Sequence, residues 1–150
     1  MKKIALIPGS FDPITKGHLE LVKFASALFD EVVVCICINP EKTHLFNEKA
    51  RLDMIAKAIA DYPNARAASF HGMTADFAVS IGAEYIVRGI RNEKDTKYEL
   101  EMADFNRNYR GIRTLLVPAS SDIVDISSTL VREKLALGEK VDGLLPENVL

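Results

Sequence analysis

The sequence predicts an α/β fold: a single-domain, Rossmann-like, doubly wound parallel sheet of five strands with helices on both faces. Three observations carry that expectation. Short β-branched runs alternate with segments of helical periodicity along the whole chain, the order that right-handed βαβ crossovers produce. One run, Val32-Val33-Val34-Cys35-Ile36-Cys37-Ile38, is apolar on both faces, as a strand in the middle of a parallel sheet must be. The chain has 150 residues, 48% of them hydrophobic, which fits one domain with a well-developed core.

The first strand falls at residues 3–7 and leads into the loop Pro8-Gly9-Ser10-Phe11-Asp12-Pro13-Ile14-Thr15-Lys16-Gly17-His18. After Gly17, Leu19, Val22, Ala25, Leu28 and Phe29 recur at helical spacing. The second strand is Glu31–Ile38. Asn47 then caps a helix whose apolar series is Leu52, Ile55, Ala56 and Ile59. A third strand at 66–70 precedes a short helix capped by Thr74 and ending at Gly82, a natural C′ residue. A fourth strand at 84–88 leads to a helix over 95–108, with Tyr98, Met102 and Phe105 among its apolar positions. After a fifth strand at 113–117, Ser127 or Ser128 caps the last helix, which carries Leu130, Val131 and Leu135 and stops at Gly138. No repeat, low-complexity segment or linker interrupts residues 1–150, so they read as one domain.

A net charge of −2 gives no basis for general nucleic-acid binding; any basic site must be assembled locally. The apolar run at the N-terminus is too short for a signal-peptide core or a membrane span, which makes the cytoplasm the expected location and a membrane partner unexpected. Cys35 and Cys37 lie two apart on one strand. They share a face, cannot readily bond each other, and read as buried thiols rather than a metal or redox pair.

In open parallel sheets, ligands sit at the carboxyl ends of the strands, near the switch in strand order. The chemically capable residues fall there. Ser10 and His18 follow the first strand, Lys42 the second, Met73 and Thr74 the third. Arg88 and Arg91 end the fourth, and Ser127-Ser128-Thr129 follow the fifth. A strand, a glycine-bearing turn and a helix start make a phosphate site, because a helix N-terminus presents unpaired N–H groups and partial positive charge. The chain has neither a G-x-x-x-x-G-K-[ST] loop nor a G-x-G-x-x-G after the first strand, which excludes P-loop and dinucleotide-dehydrogenase readings. Instead, Thr15-Lys16-Gly17-His18 opens the first helix and Ile126-Ser127-Ser128-Thr129 the last.

These two motifs resemble the signatures of the nucleotidyltransferase superfamily, (H/T)-x-G-H and a late I-S-[ST]-[ST]. The loop Gly9 to Thr15 is followed in order by Asn39-Pro40-Glu41-Lys42, Arg88-Gly89-Ile90-Arg91, Tyr98-Glu99, Asn106-Arg107 and Leu145-Pro146-Glu147-Asn148-Val149. Together they are similar to the bacterial phosphopantetheine adenylyltransferase family over nearly the whole chain. The resemblance implies transfer of AMP from Mg-ATP to 4′-phosphopantetheine, giving dephospho-coenzyme A and pyrophosphate. It implies His18 as donor to the α-phosphate and Ser10 as a bridge between nucleotide and acceptor. Lys42 and Arg88 would hold the acceptor phosphate, with Thr74 along the pantetheine arm. ATP would meet Ser10, Phe11, His18, Gly89, Ile90, Arg91 and Glu99. Ile123, Val124, Asp125 and Ile126 would frame the nucleotide, and Ser127, Ser128 and Thr129 would place N–H and hydroxyl donors on the β- and γ-phosphates. The family further implies a homohexamer and feedback inhibition by coenzyme A. Mg²⁺ would arrive with ATP, since no carboxylate cluster has the spacing of a protein metal cage.

The chemistry suits the residues. An acceptor phosphate is anionic at neutral pH, so no general base is required. What is required is in-line positioning and stabilisation of charge on the α-phosphate. Ile123-Val124-Asp125 stand where the family usually carries an aromatic-Ser-aromatic run, and His71-Gly72-Met73-Thr74 replace a more acidic and apolar segment. Simpler readings remain for individual residues: Arg91 and Glu99 as a surface ion pair, His44 and His71 as surface loop residues, and Arg107, Arg110 and Arg113 as a solvated cluster. The enzyme alternatives are a cytidylyltransferase making CDP-glycerol and an adenylyltransferase of nicotinamide mononucleotide. Thr15, where the cytidylyl branch usually has His, argues against the first. A catalytically idle nucleotide-binding module is the non-enzyme alternative.

Overall fold

A computed structural model of the chain describes residues 1–38, 42–147 and 149; Asn39, Pro40, Glu41 and Asn148 of the motifs above lie outside the described residues. The elements alternate as expected: β1 (Ile4–Gly9), α1 (Lys16–Leu28), β2 (Glu31–Ile38), α2 (Glu48–Ala58), β3 (Ala65–His71), α3 (Thr74–Ser80), β4 (Tyr85–Ile90), α4 (Glu93–Arg110), β5 (Arg113–Pro118) and α5 (Ser128–Ala136). The five strands are parallel in the order β3-β2-β1-β4-β5. The chain winds from β1 to one edge and then crosses back to start the other half beside β1. The switch point therefore lies between β1 and β4.

The period of two along β2 divides the core. Val32, Val34 and Ile36 join Ala5, Ile7, Val22, Ala25, Met54 and Ile55 on one face. Val33 and Cys35 join Leu6, Ala75, Ala78, Ile86 and Ile112 on the other. Each fully buried valine contributes roughly 1.5–3 kcal/mol of transfer free energy, which fixes the register of the central strands. β1 pairs with β2 from Ile4↔Glu31 through Gly9↔Ile36, whereas its ladder with β4 is confined to Ala5↔Tyr85 and Leu6↔Ile86. Beyond Leu6 the two central strands part. This opens the sheet at its carboxyl edge.

Several local expectations change. Met73, not Thr74, is the N-cap of α3, and it makes no side-chain cap bond; the Thr74 hydroxyl instead meets Cys37 Sγ at 3.4 Å. Ser127 is the cap of α5, accepting from Leu130 N–H. α4 starts at Glu93 behind an Asn92 cap and runs to Gly111, whose φ of 71° closes the helix in the left-handed conformation that glycine adopts freely. The expected apolar face of α4 is turned outward: Tyr98, Met102 and Phe105 are exposed, and Glu99 and Asn106 are the buried residues. Leu28 and Ala56 also face solvent; α2 buries Arg51, Met54, Ile55 and Ala58 instead.

Candidate functional site

The first loop is built to present His18. Thr15 caps α1, its hydroxyl accepting the His18 N–H, and the His18 ring reaches back to the Thr15 N–H at 3.0 Å. A backbone N–H can only donate, so Nδ1 is the unprotonated nitrogen and the neutral ring carries its proton on Nε2. Burial, reinforced by the nearby positive charges of Arg88 and Arg91, lowers the His18 pKa to about 4. At neutral pH the imidazole is an uncharged Nε2–H donor. Phe11 braces it edge-on, ring centroids 4.8 Å apart. To do so Phe11 adopts a φ of 48°, at a cost of about 1–2 kcal/mol for a residue with a Cβ. Gly9 makes room for that ring: a Cβ there would stand 3.1 Å from Phe11 Cε2.

Three carbonyls of this loop are held from its two flanks. Arg51 Nη1 on α2 donates to Ser10 O at 2.9 Å. Arg132 Nη1 and Ser128 Oγ, both on α5, donate to Asp12 O and Pro13 O at 2.7 Å each. The Asp12 carboxylate in turn accepts Leu45 N–H and Phe46 N–H. Of the free donors at the start of α1, Lys16 N–H is taken by Leu144 O at 2.9 Å. That leaves the Gly17 N–H without a partner among the described residues; the Lys16 side chain is exposed.

At the start of α5 the hydroxyls are less available than the sequence suggests. The Ser127 hydroxyl accepts Leu130 N–H, the Ser128 hydroxyl donates to Pro13, and Thr129 Oγ1 accepts from Arg132. Helix geometry leaves the backbone N–H groups of Ser128 and Thr129 without intrahelical partners. These, with the helix dipole, are what this end offers to phosphate. Residues 123–126 pack beside the other helix start: a Cβ on Gly17 would lie 3.8 Å from Ile123 Cδ1 and from Ile126 O. Asp122 and Asp125 are exposed.

Where β1 and β4 part lies a cleft of about 350 Å³. Its walls include Ser10, Lys42, Thr74, Arg88 and Glu99, five of the residues the sequence singles out. His18, Phe11, Gly89, Ile90, Arg91 and residues 123–129 are not among the lining residues. Lys42 Nζ stands 3.5 Å from Ser10 Oγ. Arg88 bridges the gap between the strands, donating to Pro8 O with Nη1 and to both Glu99 oxygens with Nε and Nη2 at 2.8 Å. Burial opposes the Arg88 charge, but the hydrogen bonds and charge of Glu99 outweigh it and hold the pKa above its ordinary value. Of the five N–H donors of a guanidinium, three are used among the described residues.

The simpler alternative, an ion pair between Arg91 and Glu99, does not form. Arg91 pairs with Asp95 at 3.3 Å, and the carboxylate of Glu99 belongs to Arg88. Cys37 is half-buried and lines the cleft, unlike the wholly buried Cys35. The hydrogen bond from Cys35 lowers the Cys37 thiol pKa against the opposing effect of burial. His71 is exposed, 3.3 Å from Glu48, while His44 is partly buried with its Nε2 unpartnered among the described residues. Arg110 is bound by Asp76 at 2.8 Å and lies over the Tyr109 ring. Asp12, Arg51 and Arg132 escaped the sequence reading. Arg51 had one available signal, its helical register with Ile55. Tyr98, Met102, Asn106 and Thr114 also line the cleft, and the Thr114 hydroxyl is buried without a partner among the described residues. Among those residues no group of three or more His, Cys, Asp or Glu could hold a metal ion, and no helix is long and apolar enough to cross a membrane.

Comparison with known proteins shows the family of the chain. The family described as cytidylyltransferase-like matches residues 6–134. A phosphopantetheine adenylyltransferase of Streptomyces coelicolor is 43% identical over 146 residues, covering 97% of this chain and 92% of that one. One of Leuconostoc citreum is 43% identical over 135 residues, covering 90% and 85%. A solved lipopolysaccharide core biosynthesis protein from Thermoplasma volcanium superposes with a TM-score of 0.58 at 25% identity, over 80% of this chain and 98% of that one. A structure from Vibrio parahaemolyticus gives 0.71 at 19% identity, over 99% and 96%, a likeness in fold alone. With the two helix-start motifs, the β1–β4 cleft and this coverage in hand, the chain belongs to the cytidylyltransferase-like family, among the phosphopantetheine adenylyltransferases.

Proposed function

We propose that the protein, as a single nucleotidyltransferase domain, transfers AMP from ATP to 4′-phosphopantetheine in coenzyme A biosynthesis. The observation that carries this reading is the juxtaposition at the carboxyl edge of the sheet: a cleft with Ser10, Lys42 and Arg88 on its walls, and His18 held as a neutral Nε2–H donor close enough to feel Arg88 and Arg91. An oxygen of the acceptor phosphate attacks the α-phosphorus of ATP. The new P–O bond forms as the bond to the β-phosphate oxygen breaks, pyrophosphate leaves with that electron pair, and dephospho-coenzyme A remains.

Lys42 and Arg88 hold the acceptor phosphate, and Ser10 lies between the substrates. Thr74, Tyr98 and Met102 flank the arm. A neutral His18 does not protonate anything; its Nε2–H bond strengthens as charge grows on the α-phosphate, so it acts chiefly in the transition state. Gly17, Ser128 and Thr129 offer N–H groups to the triphosphate. Phe11, Gly89, Ile90, Arg91 and residues 123–126 complete the ATP side, while Glu99, read from the sequence as an ATP contact, serves the acceptor side through its hold on Arg88. Mg²⁺ enters as the Mg-ATP substrate.

The same reading extends to a cytoplasmic homohexamer inhibited by coenzyme A, which shares the arm of the acceptor. The outward stripe of α4, Tyr98, Met102, Phe105 and Tyr109 at i, i+4, i+7 and i+11, supports a self-associated form, since soluble monomers seldom leave such an apolar helix face uncovered. Pyrophosphate release from ATP, CTP and their candidate acceptors tests the reading. Release with ATP and 4′-phosphopantetheine is expected; release only with CTP and glycerol phosphate, or only with nicotinamide mononucleotide, refutes it.

A further inference from the structure

Two buried charged residues take no part in the chemistry above. Asp12 is 2% exposed and Arg51 4%, and burying such groups is costly unless their hydrogen bonds are made. The hydrogen bonds of their side chains all run between the same two segments. The two Asp12 oxygens accept Leu45 N–H at 2.8 Å and Phe46 N–H at 2.9 Å. Arg51 donates from Nε to Phe46 O at 3.0 Å and from Nη1 to Ser10 O at 2.9 Å. The stretch Leu45-Phe46 is thus gripped on its N–H side by Asp12 and on its C=O side by Arg51. Each grip has its other foot in the first loop, at Asp12 itself or at Ser10. Three residues before Leu45 stands Lys42, whose Nζ lies 3.5 Å from Ser10 Oγ.

We infer that Asp12 and Arg51 are positioning residues: they form a clamp that sets Lys42 against Ser10 and so fixes the distance between the two substrate subsites. The inference rests on the proposed role of Lys42 in holding the acceptor phosphate. In-line transfer makes such a distance matter, because a displacement of about 1 Å at a reacting centre can cost on the order of a hundredfold in rate. Charge suits the task better than an apolar contact. A carboxylate and a guanidinium fix direction as well as separation, through paired charge-assisted bonds. Arg132, whose Nη1 is 4.0 Å from Asp12 Oδ2, adds a positive charge beside the buried carboxylate without touching the Lys42 segment.

Asp12→Asn replaces one acceptor oxygen with a donor that faces a backbone N–H. It should raise the KM for 4′-phosphopantetheine about tenfold and leave that for ATP within about twofold, the loss of a charge-assisted bond. Because the clamp acts through Lys42, the effect should vanish in a Lys42→Ala background. Additive effects, or an equal rise for ATP, overturn the inference, since a merely structural residue has no reason to couple to Lys42. Arg51→Lys, which keeps the charge and loses the two-ended grip, serves as the second variant and should show the same coupling if Asp12→Asn fails to fold. Amide exchange at Leu45 and Phe46 reads the clamp without turnover: both should exchange at least about tenfold faster in the variant that folds. Unchanged protection overturns the clamp. A wild type that shows no transfer while its Leu45 and Phe46 amides are protected refutes the proposed activity and leaves the clamp standing.

Discussion

The Thr15 N–H and the His18 Nδ1 atom are 3.0 Å apart, so the backbone that caps the first helix also decides which nitrogen of the histidine carries its proton. A local device of helix capping thereby sets the chemistry of the ring. While the ring stays neutral, its Nε2–H is a donor and its Nδ1 is not.

That proviso is measurable. The His18 pKa is lowered from 6.5 to about 4. Between those values the unfolded chain binds a proton that the folded chain does not, so stability falls as pH falls through the window. The loss is on the order of 3 kcal/mol when complete. Urea unfolding at pH 7 and pH 4 should show the wild type losing more stability than His18→Gln by roughly that amount. Nitrogen-15 shifts should report an Nε2–H tautomer that does not titrate above about pH 5. A midpoint near 6.5 would contradict the arrangement.

The Arg88–Glu99 pair supports a second prediction. Glu99→Ala strands a guanidinium at the mouth of the sheet, and breaking a buried pair costs about 3–5 kcal/mol. The Arg88 side chain keeps 33% of its surface exposed, so the low end of that range applies, about 3 kcal/mol by denaturant unfolding. A loss under about 0.5 kcal/mol would mean that water replaces the carboxylate at little cost.

Cys37 allows a chemical probe of the cleft. Its thiol is held below the usual range by the hydrogen bond from Cys35, which is itself pushed up. Thiolates, not thiols, react, so iodoacetamide should label Cys37 well ahead of Cys35 by mass spectrometry. Saturating 4′-phosphopantetheine should slow the labelling. Equal labelling of the two, or no protection by the acceptor, would place the ligand elsewhere.

These residues also mark where the sequence was readable. β2 was legible because its valines and isoleucines leave no polar face, and Thr15-Lys16-Gly17-His18 because capping and chemistry share one motif. α4 was not. Its apolar residues suggested a buried stripe through Tyr98, Met102 and Phe105, yet Arg88 on β4 draws Glu99 inward and the aromatic residues turn out. Periodicity registers apolar side chains and is blind to a buried ion pair whose halves sit on different elements. Asp12 and Arg51 were hidden for the same reason, as their partners are backbone groups that meet only in the folded chain.

The most direct measurement follows the label from α-³²P-ATP in wild-type protein and in His18→Ala with 4′-phosphopantetheine present. The wild type should move the label into dephospho-coenzyme A. The variant should do so at least about a hundredfold more slowly, with the KM for ATP changed less than about threefold, because His18 acts where charge appears only in the transition state. Label appearing as free AMP in the wild type, or an unchanged kcat in the variant, would contradict transfer at this site.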